Sequence, residues 1–177
     1  MVKRIFGLAA LFIGGAAVVA LIVIALTGPQ RVWTTLFGDA DLGPAHFTKL
    51  VRADTPNEYL VCPQDFCTLT VPDRISKAYP VDQERLLAAL KEIVEERENV
   101  QLVADPEPDD LRFIERSKLF RFPDTISITV LDGGNGSSLV AVFSRSQIGR
   151  YDMGTNARRV EALLDDLEVR LARANAG

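Results

Sequence analysis

The sequence contains few of the residues that metal centres and most hydrolytic centres use. It has one histidine, two cysteines, two methionines and one tryptophan among 177 residues. A zinc site with several nitrogen and sulfur ligands, or a Ser-His-Asp centre, therefore has almost nothing to draw on. The 20 basic residues are outnumbered by 24 acidic ones, which argues against a generally basic nucleic-acid-binding protein. We expect no resident metal, no cofactor and no nucleic-acid partner.

Apolar residues are concentrated at the N-terminus rather than spread evenly. Mean hydropathy is +0.11 although 25% of the residues are charged. Residues 5–26 carry no charge and, as a helix, would extend about 33 Å, enough to cross a bilayer core. Lys3 and Arg4 precede this stretch, and the positive-inside rule places them in the cytoplasm. The predicted organisation is a cytoplasmic N-terminus at 1–4, a transmembrane helix at 5–26, a linker at 27–44 and an exported domain at 45–177.

The alternative interpretation of the N-terminal segment is a cleaved signal peptide. Such a peptide has an apolar core of roughly 7–15 residues and an A-x-A-like cleavage site. Here the apolar stretch is longer, and Ala25-Leu26-Thr27 is a poor cleavage site. We therefore expect an uncleaved single-pass anchor that contacts the lipid bilayer through residues 5–26. The expected location is a bacterial inner membrane with the C-terminal domain in the periplasm, and both interpretations export that domain.

The exported part is predicted to be an α+β domain, with an antiparallel sheet and two main helices on one side. Apolar residues recur at helical spacing over 86–94, after Asp82 as the expected N-cap, and again over 160–171. Strands are predicted at 67–71, 100–103, 111–116, 125–131 and 139–144. The run Asp132-Gly-Gly-Asn-Gly-Ser predicts a hairpin between the last two strands, because several of its residues accept positive φ.

Cys62 and Cys67 are the first pair of residues that could carry chemistry. Two nearby cysteines in an exported domain favour a disulfide, which the chain-entropy model values at roughly 2 kcal/mol for so small a loop. A redox-active pair is less favoured because the spacing is C-x4-C rather than C-x-x-C. A metal site would need ligands that the composition does not offer. We predict a structural disulfide, with a redox pair, free thiols or a metal site as the alternatives.

The second candidate is the arginine-rich segment 144–159, which joins a predicted central strand to the last helix. Gly149 and Gly154 allow tight turns, and Thr155 or Asn156 can cap the helix. This segment, with its glycines and its cations, is the predicted binding region of the domain.

Arg158 and Arg159 fall in the first turn of the last helix, where cations oppose the helix dipole by roughly 0.3–1 kcal/mol each. A negative group should therefore compensate them. One interpretation is an internal carboxylate, from Asp152 or Asp124. The other is an anionic ligand at the helix N-terminus. Strand order suggests that Arg116 and Arg121 lie at the same edge. The candidate ligand-binding residues are Arg116, Arg121, Asp124, Arg145, Gly149, Arg150, Asp152, Gly154, Asn156, Arg158 and Arg159.

The segment from 144 to 164 resembles the signature of DUF1499, a family of domains of unknown function. It reads Arg145…Gly149-x-x-Asp152-Met-Gly-Thr-Asn156-Ala-Arg-Arg159. The run Arg116-Ser…Phe120-Arg-Phe-Pro-Asp124 and the Cys62-Pro…Phe-Cys67 element are also similar to family features. The resemblance covers about residues 42–170 and supports the placement of the site. Gln147, Tyr151 and Thr155 depart from the usual pattern, and the resemblance implies no activity.

These observations lead to three functional hypotheses. The first is a membrane-anchored periplasmic domain that binds an anionic small molecule, a lipid head group or an acidic protein at the arginine-rich loop. The second is an uncharacterised enzyme that uses Asp124, Asp152 or an arginine of the same loop. The third is a structural or assembly protein of the cell envelope, in which internal carboxylates satisfy the loop arginines. We expect a binding role rather than an enzyme.

Overall fold

The computed structural model describes residues 12–16, 18–19, 22–24, 26–104 and 107–176. The chain divides into two compact units, of which the first ends at Asp39 and the second begins at Ala40. The first unit contains helix α1 (Pro29–Phe37), which lies within the predicted linker. The predicted membrane segment 5–26 lies partly outside the described residues. Among those that are described, no helix is both long and apolar enough to cross a membrane.

The second unit is a mixed α+β domain built on one six-stranded sheet. The strands lie in the order β2-β1-β6-β5-β4-β3 and all pair antiparallel except β1 with β2. Their bounds are β1 Glu58–Cys62, β2 Arg74–Ile75, β3 Val100–Val103, β4 Asp110–Arg116, β5 Pro123–Gly134 and β6 Ser137–Ser146. Helix α2 is Gln83–Glu95, helix α3 is Thr155–Ala176, and a 3-10 turn covers Phe47–Lys49. The predicted α+β class is confirmed.

Both long helices pack on the same face of the sheet. The apolar residues that meet there are buried, and the largest of them include Leu86, Leu90, Phe113, Ile126, Ile128, Leu163, Leu164 and Leu167. Alternation along each strand turns every second side chain toward the helices. Each fully buried aliphatic or Phe side chain stabilises the fold by about 1.5–3 kcal/mol, so this layer is the main core.

The other face of the sheet has a smaller core. Leu60, Phe143 and Cys62 are covered by Phe47 and Leu50 and by Cys67. Cys62 and Cys67 lie at disulfide bonding distance, with Cα atoms 6.2 Å apart, which confirms the predicted pair. The disulfide therefore fastens the chain that follows β1 against the sheet.

One predicted strand is wrong. Residues 67–71 form a turn after the disulfide, where Leu69 and Val71 are exposed. The strand lies earlier, in β1, where Leu60 and Val61 are completely buried. β-propensity reflects the fit of a side chain to a half-buried surface, and Leu69 and Val71 have no such surface to pack on.

The predicted β5–β6 hairpin is confirmed. β5 ends at Gly134 and β6 begins at Ser137, so Asn135 and Gly136 form the turn. Their φ angles are 53° and 72°, as a type I′ turn requires. This turn lies at the end of β5 and β6 opposite the arginine-rich segment, and it fixes the register that positions the candidate site.

Candidate functional site

Two connections meet at one edge of the sheet: residues 117–122 between β4 and β5, and residues 147–154 between β6 and α3. Asp124 pairs with Ser146 across β5 and β6, and the Gln147 amide donates to the Pro123 carbonyl at 3.3 Å. The two loops are therefore neighbours, and together they are called the loop edge below. Arg116, the last residue of β4, lies beside the loop edge, and Arg121 lies within it, as the strand order predicts.

Arg159 lies on the inner side of the loop edge, under the start of α3. Its Nη2 is 2.7 Å from Asp124 Oδ2, and its Nε is 3.2 Å from Glu115 Oε1. Arg159 and Asp124 are both buried. Of the two carboxylates considered from the sequence, Asp124 is the one that pairs with Arg159, and Glu115 is an additional partner. The Arg159 charge is thus compensated inside the protein.

Asp124 is held by this pair and by a hydrogen bond from Ser146. Burial raises the pKa of the Asp124 carboxyl above its ordinary value, although Arg159 acts in the opposite direction. A buried carboxylate needs hydrogen-bond donors, and Arg159 and Ser146 supply them here.

Asn156 is completely buried beneath the loop edge. Its side-chain amide donates to the Asn57 carbonyl and to Ser146 Oγ, each at 2.9 Å. Its side-chain oxygen accepts from Ser144 Oγ at 2.5 Å and from Arg159 Nη1 at 2.9 Å. Both amide donors and the oxygen are therefore used, and Asn156 ties the entry to β1, the end of β6 and the start of α3 together.

Asp152 caps α3. Its Oδ2 accepts from the backbone N–H of Asn156 at 2.7 Å, and its Oδ1 accepts from the backbone N–H of Gly154 at 2.9 Å. The expected cap, Thr155 or Asn156, is wrong, because α3 already begins at Thr155 and the Asp152 carboxylate accepts from the backbone N–H of Asn156 in its first turn. Its negative charge also lies where the helix dipole favours it and offsets the neighbouring arginines. Gly154 turns with φ of 73°, as predicted for a tight loop.

Arg145 and Arg158 use their guanidinium groups on backbone carbonyls. Arg145 Nη2 donates to the Leu42 and Gly43 oxygens at 2.6 and 2.9 Å. Strand alternation places Arg145 on the face of β6 opposite Ser144 and the Arg159 network. Burial lowers the pKa of Arg145.

Arg158 is exposed and donates to the Met153 carbonyl at 2.8 Å, so its side chain lies over the loop that precedes α3.

The remaining cations of the loop edge face solvent or a shallow cleft. Arg121 bonds to the side chain of Asn99. A cleft of about 520 Å³ opens beside the edge, lined partly by Asn99, Glu115, Arg116, Lys118 and Arg159. Lys118 and Arg150 are exposed, and no carboxylate within the described ranges pairs with either of them. Lys118 was not among the residues predicted from the sequence, although Arg116 and Arg121 on either side of it were.

Gly149 and Arg150 lie in the middle of the 147–154 loop. Gly149 has φ of 93°, and its carbonyl accepts from the Asn57 side chain at 2.7 Å. Both residues are exposed. In the described part of the chain, no group of three or more His, Cys, Asp or Glu residues is arranged to hold a metal ion.

Fold and site together define a class of protein: a sheet with two helices on one face and an internally braced, arginine-rich loop before the last helix. Residues 52–167 match the family described as "Protein of unknown function (DUF1499)". The chain belongs to this family, as the resemblance of its loop signature predicts.

Comparison with curated proteins finds no match. Among solved structures, the chain resembles the crystal structure of TTHA0849 from Thermus thermophilus. The two are 18% identical over 56% of this chain and 95% of that chain, with a TM-score of 0.33.

Proposed function

We propose that this protein is anchored in the bacterial inner membrane by residues 5–26 and binds an anionic group at the loop edge of its periplasmic domain. The uncharged segment behind Lys3 and Arg4 supports the anchor and its orientation. The Cys62–Cys67 disulfide supports export, because disulfides persist in oxidising compartments and are rare in the cytosol.

One observation carries the binding proposal: among the described residues, no carboxylate forms an ion pair with Lys118 or Arg150, in the loop edge, or with Arg158, in the first turn of α3. Lys118, Arg150 and Arg158 are exposed. Asp152 is the only acidic residue in 117–122 and 147–154, and backbone N–H groups occupy its carboxylate. This positive surface belongs to a chain in which acidic residues outnumber basic ones. A local excess of cations on such a chain favours an anionic partner.

The geometry divides the residues in and beside the loop edge into two groups. Asp124, Asn156 and Arg159 hold the loop edge in place and bond one another. We assign the contact with the anion to Lys118, Arg150 and Arg158. An enzyme is not favoured, because hydrogen bonds within the protein occupy the carboxylates of both Asp124 and Asp152.

Phosphate binding to the periplasmic domain tests this proposal. Residues 40–177 form a compact unit with its own core and can be studied alone. At constant ionic strength, inorganic phosphate should raise the Tm of this domain, because a ligand that binds only the folded state stabilises it. The double variant Lys118→Ala/Arg150→Ala should lose that rise.

The matched control is Lys91→Ala/Arg173→Ala, which removes two exposed cations from α2 and from the far end of α3. It should respond to phosphate as the wild type does. An equal rise in all three proteins, or none in the wild type, would contradict the proposal.

A further inference from the structure

We infer that the loop edge docks on an anionic lipid surface, with apolar side chains of both loops entering the head-group region and Lys118 and Arg150 contacting phosphates. This inference rests on the proposed function and names the anionic group as the phospholipid head groups of the membrane that holds the anchor. Four features of the described residues support it.

The first feature is a cluster of exposed apolar side chains. Leu119 is 80% exposed, Tyr151 72% and Met153 89%. Phe120 is 57% exposed and stacks on Phe122 with ring centroids 5.5 Å apart. Single exposed apolar residues are ordinary, but here they occupy the tips of two adjoining loops. Aromatic and aliphatic side chains beside cations are typical of surfaces that lie at a membrane interface.

The second feature is the backbone conformation of the two loops. Met153 has φ of 54° and Arg121 has φ of 58°. Residues other than Gly, Asn and Asp rarely adopt this conformation, which costs backbone energy. At Met153 the conformation carries a long apolar side chain that lies almost entirely in solvent. Glycine would suit the backbone better, so the side chain at this position has a use that the fold alone does not supply.

The third feature is the point at which the chain enters the domain. Ala40 is the first residue of the second unit, and its carbonyl accepts from Thr125 Oγ1 at 3.0 Å. The Leu42 amide donates to the same Thr125 oxygen at 3.1 Å. Thr125 follows Asp124 at the start of β5, beside the loop edge. The chain from the proposed anchor thus joins the domain at the edge that carries the exposed residues, and tethering raises the effective concentration of this edge at the bilayer.

The fourth feature is the shape of the site, which favours a lipid surface over a small free anion. The exposed cations and apolar groups protrude at loop tips instead of lining an enclosed pocket. A free phosphate would use the cations but would leave Leu119 and Met153 in water. An anionic bilayer uses both, because it offers phosphates above and hydrocarbon below.

Amide hydrogen exchange of the full-length protein tests the inference. The protein is reconstituted in nanodiscs of phosphatidylcholine alone or mixed with phosphatidylglycerol. Residues 117–122 and 147–154 should exchange about five-fold more slowly in the anionic discs, because membrane contact limits the opening of surface loops. The double variants Leu119→Ser/Met153→Ser and Lys118→Glu/Arg150→Glu should each lose this protection.

Matched controls make the same chemical changes elsewhere. Leu69→Ser/Val71→Ser alters exposed apolar residues after the other end of β1, and Lys91→Glu/Arg173→Glu reverses exposed helix charges. Both should keep the protection of the loops. Met153→Gly gives a further check, since it should fold at least as stably as the wild type and still weaken protection.

The outcomes separate this inference from the proposed function. If phosphate stabilises the periplasmic domain through Lys118 and Arg150 but the loops exchange equally in both nanodiscs, the lipid inference is wrong and the proposed function stands. If neither effect occurs, both are wrong. Protection that survives the loop variants, or that the control variants abolish, would also overturn the lipid inference. Binding of an acidic protein would slow exchange in the loops only when that protein is present, and this protection would not depend on the charge of the lipid.

Discussion

The inner and outer sides of the loop edge are built from neighbouring residues, yet they differ in how their charges are satisfied. On the inner side, Arg159 contacts Asp124 and Glu115, and every polar group of the Asn156 side chain is bonded. On the outer side, Lys118 and Arg150 are exposed at the loop tips. Adjacent residues therefore have different roles: Arg159 holds the loop in place, and Arg158 lies on its surface.

The comparison separates the residues that carry the family signature from those that we propose to bind the anionic surface. Asp152, Asn156 and Arg159 carry the resemblance to the family, and the structure uses all three to build the loop. Between and beside them lie residues whose side chains face solvent, such as Met153 and Arg150. Substitutions on the inner side should therefore alter the stability of the domain, and substitutions on the outer side should alter its binding.

The largest expected effect separates Arg159 from Arg158. Arg159→Ala leaves the carboxylates of Asp124 and Glu115 without their shared cation, and removal of one partner from a buried ion pair costs about 3–5 kcal/mol. Arg158→Ala, which removes an exposed side chain, should cost less than about 1 kcal/mol. Urea unfolding of residues 40–177 measures both. Equal losses would show that the inner network does not brace the domain.

A smaller effect is expected for the α3 cap. Asp152→Ala removes the acceptor of the Gly154 and Asn156 amides and should destabilise the domain by about 1 kcal/mol. Thr155→Ala, in the position first expected to cap the helix, should cost less. The same urea experiment compares them, and a larger loss for Thr155→Ala would contradict the assignment of the cap to Asp152.

The smallest expected effect is a pH dependence that arises from Asp124. Burial raises the pKa of this carboxyl in the folded state, so the folded protein binds the proton more tightly than the unfolded chain does. The contribution of this group to stability is therefore complete below the unfolded pKa of about 3.9 and falls as pH rises through the folded pKa. Asp124→Asn removes the titration.

The free energy of unfolding of the wild type, relative to Asp124→Asn, should accordingly fall as the pH is raised from about 4. Urea unfolding of both proteins at several pH values measures this difference. A difference that grows with pH would mean that Arg159 outweighs burial at this site.

Local patterns predicted much of the fold. The N-cap of α2 is Asp82, whose carboxylate accepts from the Arg85 amide at 2.8 Å, as its position before an apolar helix indicates. The β5–β6 turn also follows from its own residues. β1 could not be predicted from local patterns, because its position depends on distant partners. Leu60 pairs with Phe143 across the sheet, and no residue near Leu60 in the sequence indicates that pairing.

The site was predictable in its location but not in its partners. The sequence offered Asp152 and Asp124 as alternatives for Arg159. The choice between them depends on the register that sets Asp124 opposite Ser146, which is a tertiary property. Glu115 joins the network because alternation along β4 turns it toward α3. Lys118 belongs to the loop edge only because β4 ends beside the loop that follows β6.

The most direct test of the account is one hydrogen-exchange comparison of the full-length protein in neutral and anionic nanodiscs. The amides of Ser144, Asn156 and Arg159, in the braced network, should be equally protected in both lipids. Residues 117–122 and 147–154 should gain protection only in the anionic discs. The same response to lipid charge in both regions, or no response in the loops, would contradict the division between an internal scaffold and an outer membrane-binding surface.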